Sequence, residues 1–197
     1  MIASVNRNVK LYFVSNSLYY GSFDIIQAFL AVLVTQKVSG GSVEIVGYIV
    51  AYGMISRSIF EIIFGKFVKG FSWNTKKIIV TGGYLAYGVT TILMGFSTTI
   101  AQVFIFQSLI SLIDALCYPL KWSIFTHIID ERNQEFEWSL EDVLSTMTSA
   151  CLAALGGFLT QKYELSIVFI FFGISYFLSG VSFYFIKLRR FQHLFNK

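Results

Sequence analysis

The chain has 197 residues, 55% hydrophobic and only 13% charged, with fifteen basic against eleven acidic side chains and a formal net charge of +4. A soluble domain carries roughly 25% charged residues, so an ordinary water-soluble globule is excluded. One proline and 18% aromatics exclude a disordered chain, while two cysteines in separate apolar runs, Cys117 and Cys151, exclude a disulfide framework or a zinc site.

Crossing a bilayer takes roughly 20 mostly apolar residues in a helix. Six stretches qualify, and their runs are too long and too unalternating for the strands of a barrel. The first, about 11–35, follows Arg7 and Lys10 as a signal peptide would. It is too long and too polar for a signal's apolar core, and is read as retained. Asn16, Tyr20, Asp24 and Gln27 recur along it at i, i+4, i+8 and i+11, which is one helical face. Asp24 lies near mid-span, where an uncompensated charge costs about 2.5–3.5 kcal/mol.

After "QKVSGGSVE" comes the second span, about 43–64, where Gly53, Arg57 and Glu61 share a face. Arg57 and Glu61 have the spacing of an ion pair. The loop "GKFVKGFSWNTKK" leads to the third span, about 77–96, which has no charge before its ends and reads as an outer support. A short "GFSTT" turn precedes the fourth, about 100–120. There Gln107, Ser111, Asp114 and Tyr118 form a second polar stripe, which Lys121 extends.

Residues 127–142, "HIIDERNQEFEWSLED", then gather six of the eleven carboxylates. They lack the Glu-x-x-His spacing of a di-iron bundle, and His127 and His193 each stand alone, so no metal or other cofactor is expected. Glu135 and Glu137 read as a solvated turn. Ser139 and Asp142 have capping-box spacing, so Ser139 is expected to start the fifth helix, with Glu141 and Asp142 favoured by its dipole. That span, about 143–161, carries Ser149, Ala153 and Gly157 in a small-residue row suited to close packing. The sixth, about 165–186, follows "QKYE" and again has no internal charge.

The expected architecture is an all-α membrane protein: a single domain of six transmembrane helices in a 3+3 repeat. Asp24 and Asp114 hold corresponding central positions in its halves. With the N-terminus in the cytoplasm, one side receives Arg7, Lys10, Lys66, Lys69, Lys76, Lys77, Lys121, Arg132, Lys187, Arg189, Arg190 and Lys197. The other receives only Lys37 and Lys162. The positive-inside rule therefore puts both termini in the cytoplasm, and Trp73, Trp122 and Trp138 at the same boundary. Two readings of the polar stripes stand side by side. Buried acids hydrogen-bond a bundle together, or helices one, two and four line a water-accessible cavity.

This order of features resembles one half of a major facilitator superfamily transporter. The glycine-and-basic loop after helix two matches at Gly65, Lys76 and Lys77, with Lys69 where the family has an aspartate. The fifth-helix motif matches at Gly156 and Gly157, with Ala153 where the antiporter branch has proline. The resemblance implies a secondary transporter of a small solute by alternating access in the cell (plasma) membrane. Two six-helix halves complete such a transporter, so a homodimer, a separate second half or a longer chain is expected. The site residues expected are Asn16, Tyr20, Asp24, Gln27, Arg57, Glu61, Gln107, Ser111, Asp114 and Tyr118. Asp24 or Asp114 would hold a proton or cation, and Arg57 would pair with an acid or an anionic substrate. Gly65, Lys69, Lys76, Lys77 and Arg132 would form a cytoplasmic gate, latched between the basic loop and the connector that holds Asp130, Glu131 and Arg132.

The alternative is a membrane scaffold that keeps the fold without transport. An enzyme is not indicated, since no Gly-x-Ser-x-Gly motif and no histidine within a membrane core occurs. Cytoplasmic anchoring accounts for the net charge, so no nucleic-acid partner is expected.

Overall fold

The computed structural model describes residues 5–130 and 132–187. Six α-helices follow one another: α1 Arg7–Gln36, α2 Val43–Phe67, α3 Trp73–Met94, α4 Ile100–Ile128, α5 Gln134–Lys162 and α6 Leu165–Tyr184. All six are long and apolar enough to cross a membrane. Among the described residues the β structure amounts to one isolated bridge, Ser39 to Thr99. That follows from the solvent, because a backbone in hydrocarbon has to satisfy its own hydrogen bonds. The exposed helix starts are capped by side chains. Ser42 accepts the Ile45 N–H at 3.2 Å, Ser72 accepts that of Thr75 at 3.2 Å, and Thr99 with Gln102 forms a capping box.

The helices overrun the apolar stretches that announce them. α1 begins at Arg7 rather than near 11, α3 at Trp73 rather than 77, and α4 continues to Ile128 instead of stopping near 120. Apolarity marks where a chain is in lipid, whereas caps decide where the helix stops. The largest correction concerns α5, which starts at Gln134 and not near 143. Asn133 occupies its N-cap, and Ser139 is inside the helix, donating its hydroxyl to the Glu135 carbonyl at 2.8 Å. The acids in the first turn are thus Glu135 and Glu137, and neither is in a turn between helices. Glu137 is buried and folds back to accept the Asp130 N–H at 3.1 Å. Arg189, Arg190, His193, Lys197 and Glu131 lie outside the described residues.

α3 packs against α6 and α4, α1 against α5 and α6, and α2 against α4. Half of the apolar window of α6 is buried within the protein, against 11% for α2 and α5. The charge-free helices are therefore central and the outer pair is α2 and α5, the reverse of what charge content suggests. Small residues explain it. Gly88 of α3 and Gly173 of α6 meet backbone to backbone: a Cβ on Gly88 would stand 2.8 Å from the Gly173 carbonyl oxygen. α1 and α6 exchange hydrogen bonds, Ser15 Oγ donating to the Ser179 carbonyl at 2.8 Å and Ser179 Oγ returning one to that of Ser15 at 2.7 Å. Such contacts hold helices together where lipid removes the hydrophobic drive. Around them is a core of fully buried rings, with Tyr19 and Tyr84 stacked at 4.5 Å and Tyr87 against Tyr176 at 4.4 Å.

Candidate functional site

Two polar groupings flank α1. The first joins α1, α2 and α4. Arg57 Nε lies 3.0 Å from Asp114 Oδ2 and 3.6 Å from Glu61 Oε2, so one guanidinium serves both acids. The i, i+4 spacing on α2 foretold the second contact; the first is the closer and links two helices. Tyr19 of α1 donates to Asp114 Oδ1 at 2.6 Å, and the Asp114 side chain keeps 5% of its exposure. Tyr118 stacks under the Arg57 guanidinium at 4.7 Å. Lower in the same seam Ser111 donates to the Gly53 carbonyl at 3.1 Å, and Gln107 fills the space a Gly53 side chain would need. Gly53, Gln107 and Ser111 thus serve close approach of α2 to α4, while Arg57 and Asp114 carry charge.

Lys121, one turn past Asp114's row, is 1% exposed and its Nζ has no hydrogen-bond partner. It is held instead by rings, 3.8 Å from the centre of Tyr20, 4.7 Å from Tyr19 and 5.3 Å from Tyr118. A desolvated ammonium over an aromatic face gains about 2 kcal/mol, which offsets part of its burial.

The second grouping is a cleft of about 350 Å³ between α1, α4 and α5, lined by Tyr20, Asp24, Trp122, Trp138, Glu141, Asp142, Ser145, Thr146 and Ser149. Its order comes from a register. Asn16 Nδ2 donates to Glu141 Oε1, and Ser149 donates to Asp24 Oδ2 at 3.4 Å. Both pairs are 125 residues apart, so α1 and α5 run parallel and in step across two turns. Ser145, midway between, donates to Glu141 Oε1 at 2.9 Å. Gly21 allows this contact, since a Cβ there would press on Thr148, Ser149 and Leu152. Trp122 and Trp138 stack at 4.9 Å and close one end.

The expected residues therefore separate. Asp114, Arg57, Glu61 and Tyr118 come together on the α2–α4 side. Asn16, Tyr20 and Asp24 face α5, with Tyr20 touching both groupings. Gln27 is half-buried and does not line the cleft. The wall that sequence reasoning missed is α5. Its Glu141, Ser145 and Ser149 recur at i, i+4 and i+8, a stripe as regular as that of α1, but Glu141 read as a helix-start charge and Ser149 as part of a packing row.

On the loop side, Gly65 has open space around it and Lys69 lies in the turn Val68–Gly70. Lys76 Nζ donates to Ser123 at 2.8 Å and Lys77 Nζ to the Ile186 carbonyl at 3.3 Å. Arg132 bonds through its backbone N–H to Asp130 at 3.0 Å. His127 is stacked on Trp73 at 4.1 Å.

A family model described as Major Facilitator Superfamily matches residues 12–197. No curated protein matches the chain.

Proposed function

Since the chain belongs to the major facilitator superfamily, a superfamily of membrane transporters, we propose that it moves a small solute by alternating access. The observation that carries this reading is the parallel α1–α5 stripe, which opens a polar cleft between helices where packing alone would favour apolar contact. Asp24 is exposed in that cleft, where the Ser149 hydroxyl donates to it at 3.4 Å, and is the acid assigned the proton or cation of the transport cycle. Asp114 is committed to Arg57 and Tyr19, and acts as the fixed charge against which the cleft works.

The packing pattern supports a 3+3 repeat. Exchanging α1 with α4, α2 with α5 and α3 with α6 turns the α1–α5 and α1–α6 contacts into α4–α2 and α4–α3, while α3–α6 maps onto itself. With both termini cytoplasmic and the protein in the plasma membrane, α2 and α5 present sparsely buried faces to a second copy or a second six-helix half. Asn16 and Gln107 are both buried inside the six-helix unit. Contact with a partner is therefore tested at Met54 of α2 and Met147 of α5, both well exposed. Cysteines there crosslink in membranes if the reading holds.

Asp24→Asn is expected to abolish gradient-driven uptake of the solute by purified protein in liposomes while leaving solute exchange. Undiminished driven uptake in this variant takes the acid out of the mechanism. The scaffold alternative draws on Lys69, which stands where the family has an aspartate; it predicts no uptake of any solute by the wild type.

A further inference from the structure

We propose that the α1–α4–α5 cleft binds a small organic ammonium compound through its charge. Its use as a transport substrate rests on the transporter reading above; the binding chemistry rests on the cleft itself. Three carboxylates, Asp24, Glu141 and Asp142, line the space together with the hydroxyls of Ser145, Thr146, Ser149 and Tyr20, and among the lining residues none is basic. Arg57 is occupied by Asp114 and Glu61. Lys121, a further cation near this region, sits behind the Tyr20 ring. An anionic ligand would therefore meet net repulsion.

A bare metal ion fits poorly. Among the described residues no group of three or more His, Cys, Asp or Glu side chains is close enough to hold one. The acids are spread around a volume at the low end of the roughly 300–1,000 Å³ usual for small-molecule sites. Three rings, Tyr20, Trp122 and Trp138, supply the apolar wall. Tyr20 already holds the Lys121 ammonium at 3.8 Å, inside the ~6 Å reach of a cation–π contact.

Asn16 does not line the cleft but is 1% exposed behind it, and its amide nitrogen donates to Glu141 Oε1, which holds one of the three acids in the wall.

The test uses purified protein in detergent with Trp73→Phe, so that fluorescence reports Trp122 and Trp138. The probes are 2-phenylethylamine, the neutral 2-phenylethanol and the anionic 3-phenylpropanoate. Saturable quenching by the amine is expected, with the alcohol and the carboxylate weaker by about ten-fold or more. Asp142→Asn, an exposed substitution that leaves the helix contacts intact, and Glu141→Gln each weaken the amine by about ten-fold. Lys121→Met tightens it, because a like charge is removed from behind the ring. Equal or tighter binding of the carboxylate, an amine affinity unchanged in both acid variants, or no saturable quenching overturns the proposal. Amine binding without amine uptake leaves this site standing and counts against the transporter reading alone. Uptake of some other solute without amine binding does the opposite.

Discussion

Arg57→Ala is expected to lower stability by about 3 kcal/mol, and Asp114→Ala by distinctly less. The asymmetry follows from exposure. Removing the guanidinium takes the direct ion pair from the Asp114 carboxylate, whose side chain is 5% exposed, and leaves it the Tyr19 hydroxyl as hydrogen-bond donor. Removing Asp114 leaves Arg57 with 30% exposure, Glu61 at 3.6 Å and the Tyr118 ring. Breaking a buried pair from one side costs more than the pair contributes, because an uncompensated charge remains. Replacing both, Arg57→Met with Asp114→Leu, should recover most of the stability and none of the transport. Unfolding in detergent by denaturant titration gives the three values. Equal losses in the two single variants would show that the pair is not what anchors α2 to α4.

Gly88→Leu carries the second large effect. The α3–α6 seam has backbone against backbone at Gly88 and Gly173, so no rotamer of a side chain avoids the Gly173 carbonyl. Forcing the helices apart there costs about 1–3 kcal/mol or more and loosens the tyrosine core beside it. Gly157→Leu is the matched control, because nothing lies within 4 Å of its Cβ position. Thermal stability in detergent should fall sharply for the first and stay level for the second. A level result for both would mean the seam can open without loss.

The six spans were legible because hydrocarbon demands about 20 apolar residues whatever the function. Their ends were not, since polar residues such as Trp73, Glu135 and Glu137 continue a helix past the lipid once a cap is available. The Arg57–Glu61 contact was readable from its spacing on one helix. The stronger Arg57–Asp114 contact was not, because it depends on how α2 crosses α4. Likewise Asn16, Tyr20 and Asp24 declared a polar face, but nothing local said which helix it met. The answer was α5, whose matching stripe begins at Glu141, a residue whose charge the helix dipole at an expected Ser139 cap already accounted for. Charge-free helices misled for a related reason: α6 lacks charge because glycine and serine pack it at the centre, not because it faces lipid.

The account stands on the α1–α5 cleft opening to water on each side of the membrane in turn. A single cysteine at Thr146, which lines the cleft, measures this without knowledge of the solute. It is introduced with Cys151→Ser, since Cys151 is exposed while Cys117 is buried. A membrane-impermeant thiol reagent is then applied to right-side-out and inside-out vesicles. The account predicts labelling from both sides, with Leu155→Cys on the outer face of α5 unlabelled from either. Labelling of Thr146→Cys from one side only, or from neither, would contradict alternating access and leave a membrane scaffold as the function of this fold.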